Sequence, residues 1–400
     1  MSDAPVAGAG QSPLAANPEA AEPAMLRGSF AGTCAACGAV AVMFGLAVIG
    51  MRLTDIRLML VYVVVVGGLF GLWRVAERHA PSVTLLLRGS QPVVVRGLLA
   101  CAIVYPLLST DSYQLHLFAM AGLFALMALG LNITVGFAGL ADFGFIAYYA
   151  IGAYTSALLD TRLGLNVWLC LPLAGITAAA ASLLVSLPSL RVSGHYLALV
   201  TLGFAFIVIQ MITNLDGLTG GTQGVFGIDA PILFGHDFHA PLRLWFVNLP
   251  YQANFYYLSL ALLTLAAAGC VRLGRSRWGR AWAAMRADEV AAQASGLDLT
   301  RLKLIAFATG AGLGGIAGGV YAHMIGYLDP SSFRYMDSII LLAMVALGNW
   351  RVGGVVGAAV LFTILPEKLR AFDDWRLLLF GLALLTTMLV RGRRAALLAH

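Results

Sequence analysis

Long apolar runs follow one another through most of this chain. They lie at about 30–50, 57–73, 93–108, 115–135, 137–159, 166–187, 194–213, 255–273 and 303–326, with shorter runs at 338–348, 353–365 and 377–390. A helix rises about 1.5 Å per residue and the hydrocarbon core of a bilayer is about 30 Å thick, so roughly 20 apolar residues make one span. The chain therefore reads as an all-α polytopic membrane protein with 10–12 hydrophobic helical segments. The three short runs cannot span alone. They either extend through flanking polar residues or fold back as re-entrant pairs.

Composition agrees. Apolar residues make up 60% of the chain and charged residues only 11%, whereas a water-facing surface needs about a quarter of the residues charged. The 45 glycines suit a bilayer, where small residues let helices approach closely. The net charge of +6 does not point to nucleic acid, because no basic run is interleaved with aromatics in a soluble segment. It reads as a topogenic signal instead. The loop after 255–273 carries Arg272, Arg275, Arg277, Arg280, Arg286, Arg301 and Lys303 against Asp288, Glu289 and Asp298, while the 214–254 loop has Arg243 against Asp216, Asp229 and Asp237. By the positive-inside rule the first loop is cytoplasmic and the second external. Counting outward places the basic loop from Arg74 to Arg88, Arg191, Arg351, the tail from Arg391 to Arg394 and both termini inside.

Residues 1–28 read as a disordered cytoplasmic tail. Its only basic residue is Arg27, so a cleaved leader is not expected and 30–50 stays as a first helix. Cys34 and Cys37 form an isolated C-x-x-C, and with Cys101, Cys170 and Cys270 they read as packing residues, with no metal site.

No catalytic constellation is legible. The seven histidines, His79, His116, His195, His236, His239, His323 and His400, are scattered, and no phosphate-binding G-x-x-x-x-G-K-[ST] occurs. The chain is expected to be a transport subunit rather than an enzyme, and to bind no cofactor itself. The glycine-rich run from Gly217 to Gly224 reads as a tight external turn. The glycines from Gly310 to Gly319 place Gly310, Gly314 and Gly318 on one helix face. This is either a gate hinge or a groove for a neighbouring backbone, and close packing is the favoured reading. Asn132, Asp142, His195, Gln210 and His323 are polar groups in or near apolar runs, where burial is expensive. Asn132 and Asp142 are candidates for a pore or gate. Asp142 can equally be a cap at the start of the next helix.

The 279–296 segment is rich in Ala and Arg, so its helix propensity is high. Trp282, Met285, Glu289 and Ala292 fall in one stripe at helical spacing. Gly296 suits a left-handed helix end, and Asp298 or Thr300 can cap the helix that follows. Physics alone leaves two readings open, a docking helix for a partner or an ordinary basic loop.

The string Gly279-Arg-Ala-Trp…Arg286-Ala-Asp-Glu-Val-Ala-Ala292…Gly296…Lys303-Leu…Ala306-Phe307 resembles the coupling loop of the branched-chain amino acid ABC importer permeases, the LivH/LivM family, and its LivM type in particular. Further stretches agree: Leu129-Gly-Leu-Asn-Ile…Gly136-Phe-Ala-Gly139 with Ala150-Ile-Gly-Ala-Tyr154, Gly194-His-Tyr-Leu-Ala-Leu-Val-Thr-Leu-Gly203, and Thr219-Gly-Gly221…Gly224. They cover roughly residues 110–390 in family order.

The resemblance implies a core at 109–400 with a coupling loop at 274–303, preceded by an N-terminal hydrophobic extension at 29–108. It implies a second permease subunit of the LivH type, two ATPase subunits that hold ATP and Mg, a periplasmic solute-binding protein, and a bacterial inner membrane. Gly279, Arg280, Arg286, Asp288, Glu289, Ala291, Ala292 and Gly296 would meet the ATPase. Thr219, Gly220, Gly221 and Gly224 would form an outer docking turn. The family default is branched-chain amino acids, with urea and short amides also served. Two stretches depart from the family pattern, Gly348-Asn-Trp-Arg-Val-Gly353 and Arg391-Gly-Arg-Arg394. The alternatives are a stand-alone ion-coupled secondary transporter, and a scaffold or intramembrane enzyme, which would need a polar cluster at mid-span.

Overall fold

The computed structural model describes Gly45 and residues 91–108, 111–189, 195–233, 235–244, 247–368 and Gly381. Apart from Gly45 and Gly381, the tail at 1–28, the runs at 30–50, 57–73 and 377–390, Cys34, Cys37, and the basic residues of 74–88, 191 and 391–394 lie outside the described residues. The chain divides into two compact units, Met1–Tyr105 and Pro106–His400. The first described helix, α1 (Gln91–Leu108), carries Pro106 near its end.

The second unit is a helical bundle. It comprises α2 (Ser112–Leu131), α3 (Phe145–Leu163), α4 (Val167–Ser189), α5 (His195–Asn214), the single turn α6 (Asp216–Thr219) and α7 (Gln252–Arg275). These are followed by the short α8 (Arg277–Ala287) and α9 (Glu289–Ala294), then α10 (Leu299–Ile325), α11 (Tyr335–Leu347) and α12 (Val352–Lys368). Strands occur as small antiparallel pairs: β1 (Val225–Phe226) with β6 (Tyr327–Leu328), β2 (Ile232–Leu233) with β3 (His236–Asp237), and β4 (Leu242–Leu244) with β5 (Val247–Leu249).

Five helices among the described residues are long and apolar enough to cross a membrane: Ser112–Phe137, Val167–Ser186, Tyr196–Asn214, Gln252–Arg275 and Leu299–Ile325. The all-α polytopic class expected from the sequence is the class observed. We call the end of the bundle that bears α8 and α9 the inner end, and the end that bears the 216–250 loop the outer end.

Helix α10 sits at the centre, against α2, α3 and α4. Its glycines account for the closeness. A Cβ on Gly310 would lie 2.7 Å from the Gly130 carbonyl, one on Gly314 would lie 2.9 Å from the Phe145 ring, and one on Gly315 would lie 2.5 Å from Cβ of Ala178. With no hydrophobic effect between helices in lipid, such backbone approach is the main attraction available. The helix runs unbroken through all these glycines, which fits the packing reading of this run.

Two runs fold differently from a simple reading. The 137–159 run is helical only from Phe145. Before it, α2 continues through a π-helical turn, Asn132–Phe137, and the chain leaves helical geometry at Gly139, whose φ is +74°. Only glycine adopts that conformation at little cost. The short runs 338–348 and 353–365 form α11, of 13 residues, and α12, of 17. They are joined at Gly348 to Arg351, where Asn349 and Trp350 both have positive φ, 55° and 60°.

Candidate functional site

Two capped helices make up the 277–294 segment, and they share one junction. Ser276 Oγ accepts from the N–H groups of Trp278 and Gly279 at 3.2 and 3.4 Å and starts α8. Asp288 Oδ1 accepts from Val290 and Ala291 at 2.8 and 3.1 Å and starts α9. Asp298 Oδ1 accepts from Arg301 at 3.2 Å and starts α10. The single helix expected over this segment is therefore broken at Asp288, whose extended φ of −159° is the geometry of an N-cap. Gly296 has φ +83°, as its expected place at a helix end requires.

One side of this pair is fastened to the bundle. Trp282, Met285 and Ala292 are buried, and the Trp282 indole N–H donates to the Leu302 carbonyl on α10 at 2.9 Å. Lys303 Nζ lies 2.9 Å from Glu289 Oε2, the lysine side chain 6% exposed and the glutamate 40%. Gly279 packs where a Cβ would strike the Gly274 backbone. The other side faces out. Arg280, Asp288, Ala291 and Gly296 are exposed, and Val290 is 78% exposed. Sequence reasoning missed Val290. Its signal was an apolar residue opposite the buried Ala292 stripe.

Arg286 is also exposed, yet its guanidinium reaches back to the chain. Its Nη1 donates to the Gly136 carbonyl, and its guanidinium carbon lies 5.0 Å from the centre of the Trp350 ring. Asn132, fully buried, donates from Nδ2 to the Trp350 carbonyl at 3.3 Å. A cleft of about 370 Å³ lies beside this cluster, lined by Phe137, Gly274, Ala283, Arg286 and Arg351 among others.

Asp142 is fully buried. Its Oδ1 accepts from Gly144 N–H at 3.0 Å, a local turn just before α3, while Oδ2 has no protein partner. Gly144, not Asp142, occupies the N-cap position of α3. Asn132 and Asp142 thus both lie near the inner end of α2 and α3, each with one unpartnered oxygen.

At the outer end, the single Thr219 hydroxyl proton is shared between the carbonyls of Ile212 and Leu215, 2.6 and 2.9 Å from Oγ1. Gly220, Gly221 and Gly224 have φ of 75°, 57° and 80°, so the expected tight turn is present. It is pinned from three directions. Arg162 donates to the Gly217 and Leu218 carbonyls at 2.7 and 2.6 Å. Strand β1 pairs with β6, and the Phe226 and Tyr327 rings stack at 4.4 Å. His323, on α10, completes the third link. Its Nδ1 meets the Asp229 carbonyl at 2.7 Å, so Nδ1 carries the proton, and its Nε2 accepts from Ser156 Oγ at 2.8 Å. Among the described residues, no group of three or more His, Cys, Asp or Glu side chains is placed to hold a metal ion.

A family model described as branched-chain amino acid transport system / permease component matches residues 113–388. The chain is 38% identical over 314 residues to the high-affinity branched-chain amino acid transport system permease protein LivM of Salmonella typhimurium, covering 75% of this chain and 74% of that protein. It is 37% identical to LivM of Escherichia coli K12, with the same coverage. A guanosine ABC transporter permease protein, NupQ of Bacillus subtilis, is 24% identical over 253 residues, 59% of this chain and 77% of that protein. No solved structure gives a significant match. The chain belongs to the family of branched-chain amino acid transport permeases.

Proposed function

We propose that this chain is the membrane-spanning permease subunit of a binding-protein-dependent ABC importer, carrying branched-chain amino acids across a bacterial inner membrane. In this reading the core at 109–400 pairs with a second permease subunit. Two ATPase subunits dock on the 274–303 loop and hydrolyse ATP there, and a periplasmic binding protein delivers solute to the turn at Thr219, Gly220, Gly221 and Gly224. The 29–108 extension adds spans to that core, and Asn132 and Asp142 stand at the inner gate.

The observation that carries the reading is the α8–α9 pair. Two short helices are held outside the long apolar helices, with Trp282, Met285 and Ala292 turned to the bundle and Val290 and Ala291 turned away. A helix pair bolted on one side and bare on the other is shaped to pass force from a partner into the bundle. The names of the relatives support the solute class, and the guanosine transporter among them makes nucleosides the competitor to include.

The test uses the chain co-expressed with its second permease, ATPase and binding-protein subunits. ATP-driven uptake of leucine, isoleucine or valine into proteoliposomes is expected, with little competition from guanosine. Val290→Asp changes only an exposed side chain, so the permease should keep its thermal stability. ATPase subunits retained on it should fall about tenfold, the size of a lost central apolar contact. Unchanged retention would remove the docking role, and uptake driven by an ion gradient without ATP would overturn the importer class.

A further inference from the structure

We infer that Arg286 acts within the permease, as the clasp through which movement of the coupling loop reaches the inner end of α2 and the α11–α12 turn. The inference rests on the importer reading above and reassigns a residue that the family resemblance places against the ATPase.

Arg286 is exposed, but its guanidinium is engaged on two sides by the permease itself. Its Nη1 donates to the Gly136 carbonyl, in the last turn of the π-helical segment. Carbonyls at a helix end lack an intrahelical donor, so this one is free to accept. The guanidinium carbon lies over the Trp350 ring, 5.0 Å from its centre, an arrangement favoured by the negative face of the indole. Between them the arginine stem passes Gly139, where any Cβ would come within 2.7 Å of Arg286 Cγ. The positive φ of Gly139 and this lack of room make the same demand on that position.

The far side of the clasp is under conformational tension. Asn349 and Trp350 are consecutive non-glycine residues at φ 55° and 60°, a geometry that persists only where surrounding contacts over-determine it. The Trp350 carbonyl takes a hydrogen bond from Asn132, and its ring takes the Arg286 cation. Asn132 and Gly136 belong to the same π-helical turn. The contacts therefore close a circuit, from α8 to α2 to the α11–α12 turn and back.

Trp282 lies one turn before Arg286 on α8 and is bolted to α10 through the Leu302 carbonyl. An eleven-residue helix fixed at Trp282 and displaced at its outer face pivots about that bolt. Arg286, one turn further on, carries the displacement into the circuit. The open cleft beside Arg286 and Trp350 leaves room for the turn to shift. Lysine is a poor replacement, because a single compact ammonium cannot face the indole and at the same time present a second donor nitrogen to the Gly136 carbonyl.

The experiment measures solute moved per ATP hydrolysed, on the complete transporter in proteoliposomes. Arg286→Ala and Trp350→Ala should each lower the ratio about tenfold, the scale of a coupling between sites. The double variant should be no worse than the worse single. Trp350→Phe, which keeps a ring face, should hold most of the ratio, Arg286→Lys should not, and the Trp350→Ala complex should still contain its ATPase subunits. An unchanged ratio in Trp350→Ala overturns the clasp, as do additive losses. So does loss of ATPase from Arg286→Ala in step with uptake, which would make the residue a docking contact. If Trp350→Ala yields no complex, Trp350→Leu against Trp350→Phe decides: the ring predicts a low and a high ratio, and equal ratios overturn it. A wild-type complex without ATP-driven uptake sinks the importer reading; a coupled wild type with unaffected variants sinks only the clasp.

Discussion

Lys303 is a cation on an apolar helix with 6% of its side chain exposed, and Glu289 is the partner 2.9 Å away. Removing one member of such a pair costs more than the pair contributes, because the other is left charged and poorly solvated. The glutamate is 40% exposed, so water screens part of that cost. Glu289→Ala should therefore destabilise the permease by about 1–3 kcal/mol. Lys303→Met in that background should recover most of it. Thermal unfolding of the purified proteins checks both, and a double variant as unstable as the single would show that the ion pair is not the cause. Both residues stood in the motif read from sequence, but their pairing across a helix break did not. The same holds for Arg286 and Trp350. Each was visible, whereas the contact between them depends on how α8 and the 348–351 turn meet.

At the scale of the element, α10 shows what a glycine-rich helix is for. Gly315 has no room: a Cβ would strike the Ala174 carbonyl and lie 2.5 Å from Ala178 Cβ. Gly312 has room, with its nearest neighbour, the Gly175 carbonyl, at 3.5 Å. Gly315→Ala should cost about 1–3 kcal/mol through overpacking. Gly312→Ala should be neutral or stabilising by about 0.5–1 kcal/mol, since alanine loses less backbone entropy in a helix. Unfolding in detergent checks the pair, and a hinge would reveal itself if Gly312→Ala kept its stability yet lost uptake. The spacing of Gly310, Gly314 and Gly318 made one packed face legible in advance, but not the packing of Gly315 on α4. The break between α8 and α9 was not, because the helix propensity of the alanines outweighed the cap that Asp288 supplies. Asp298, read as a cap, is one.

For the molecule as a whole, charge asymmetry between loops was enough to propose which end faces which side. Val290 and Gln223, both exposed and at opposite ends, test it. In a background without the native cysteines, Gln223→Cys should react with a membrane-impermeant maleimide in intact cells, and Val290→Cys only after the cells are opened. The reverse pattern would invert the topology. The run lengths made the long helices legible. The return of the chain through β6 and Phe333 was not, because short extended segments inside a bundle have no periodicity of their own and depend on neighbours for burial. One piece of that bundle joins both ends. At 27 residues, α10 is a stiff rod about 40 Å long. Its foot is gripped by Trp282, and its head is held by His323 and by β6 zipped to β1. A rod of that length tilting by about 5° about its foot swings its head by roughly 3–4 Å. In the importer reading proposed above, a push on one end of this rod would therefore reach the other end through a single helix.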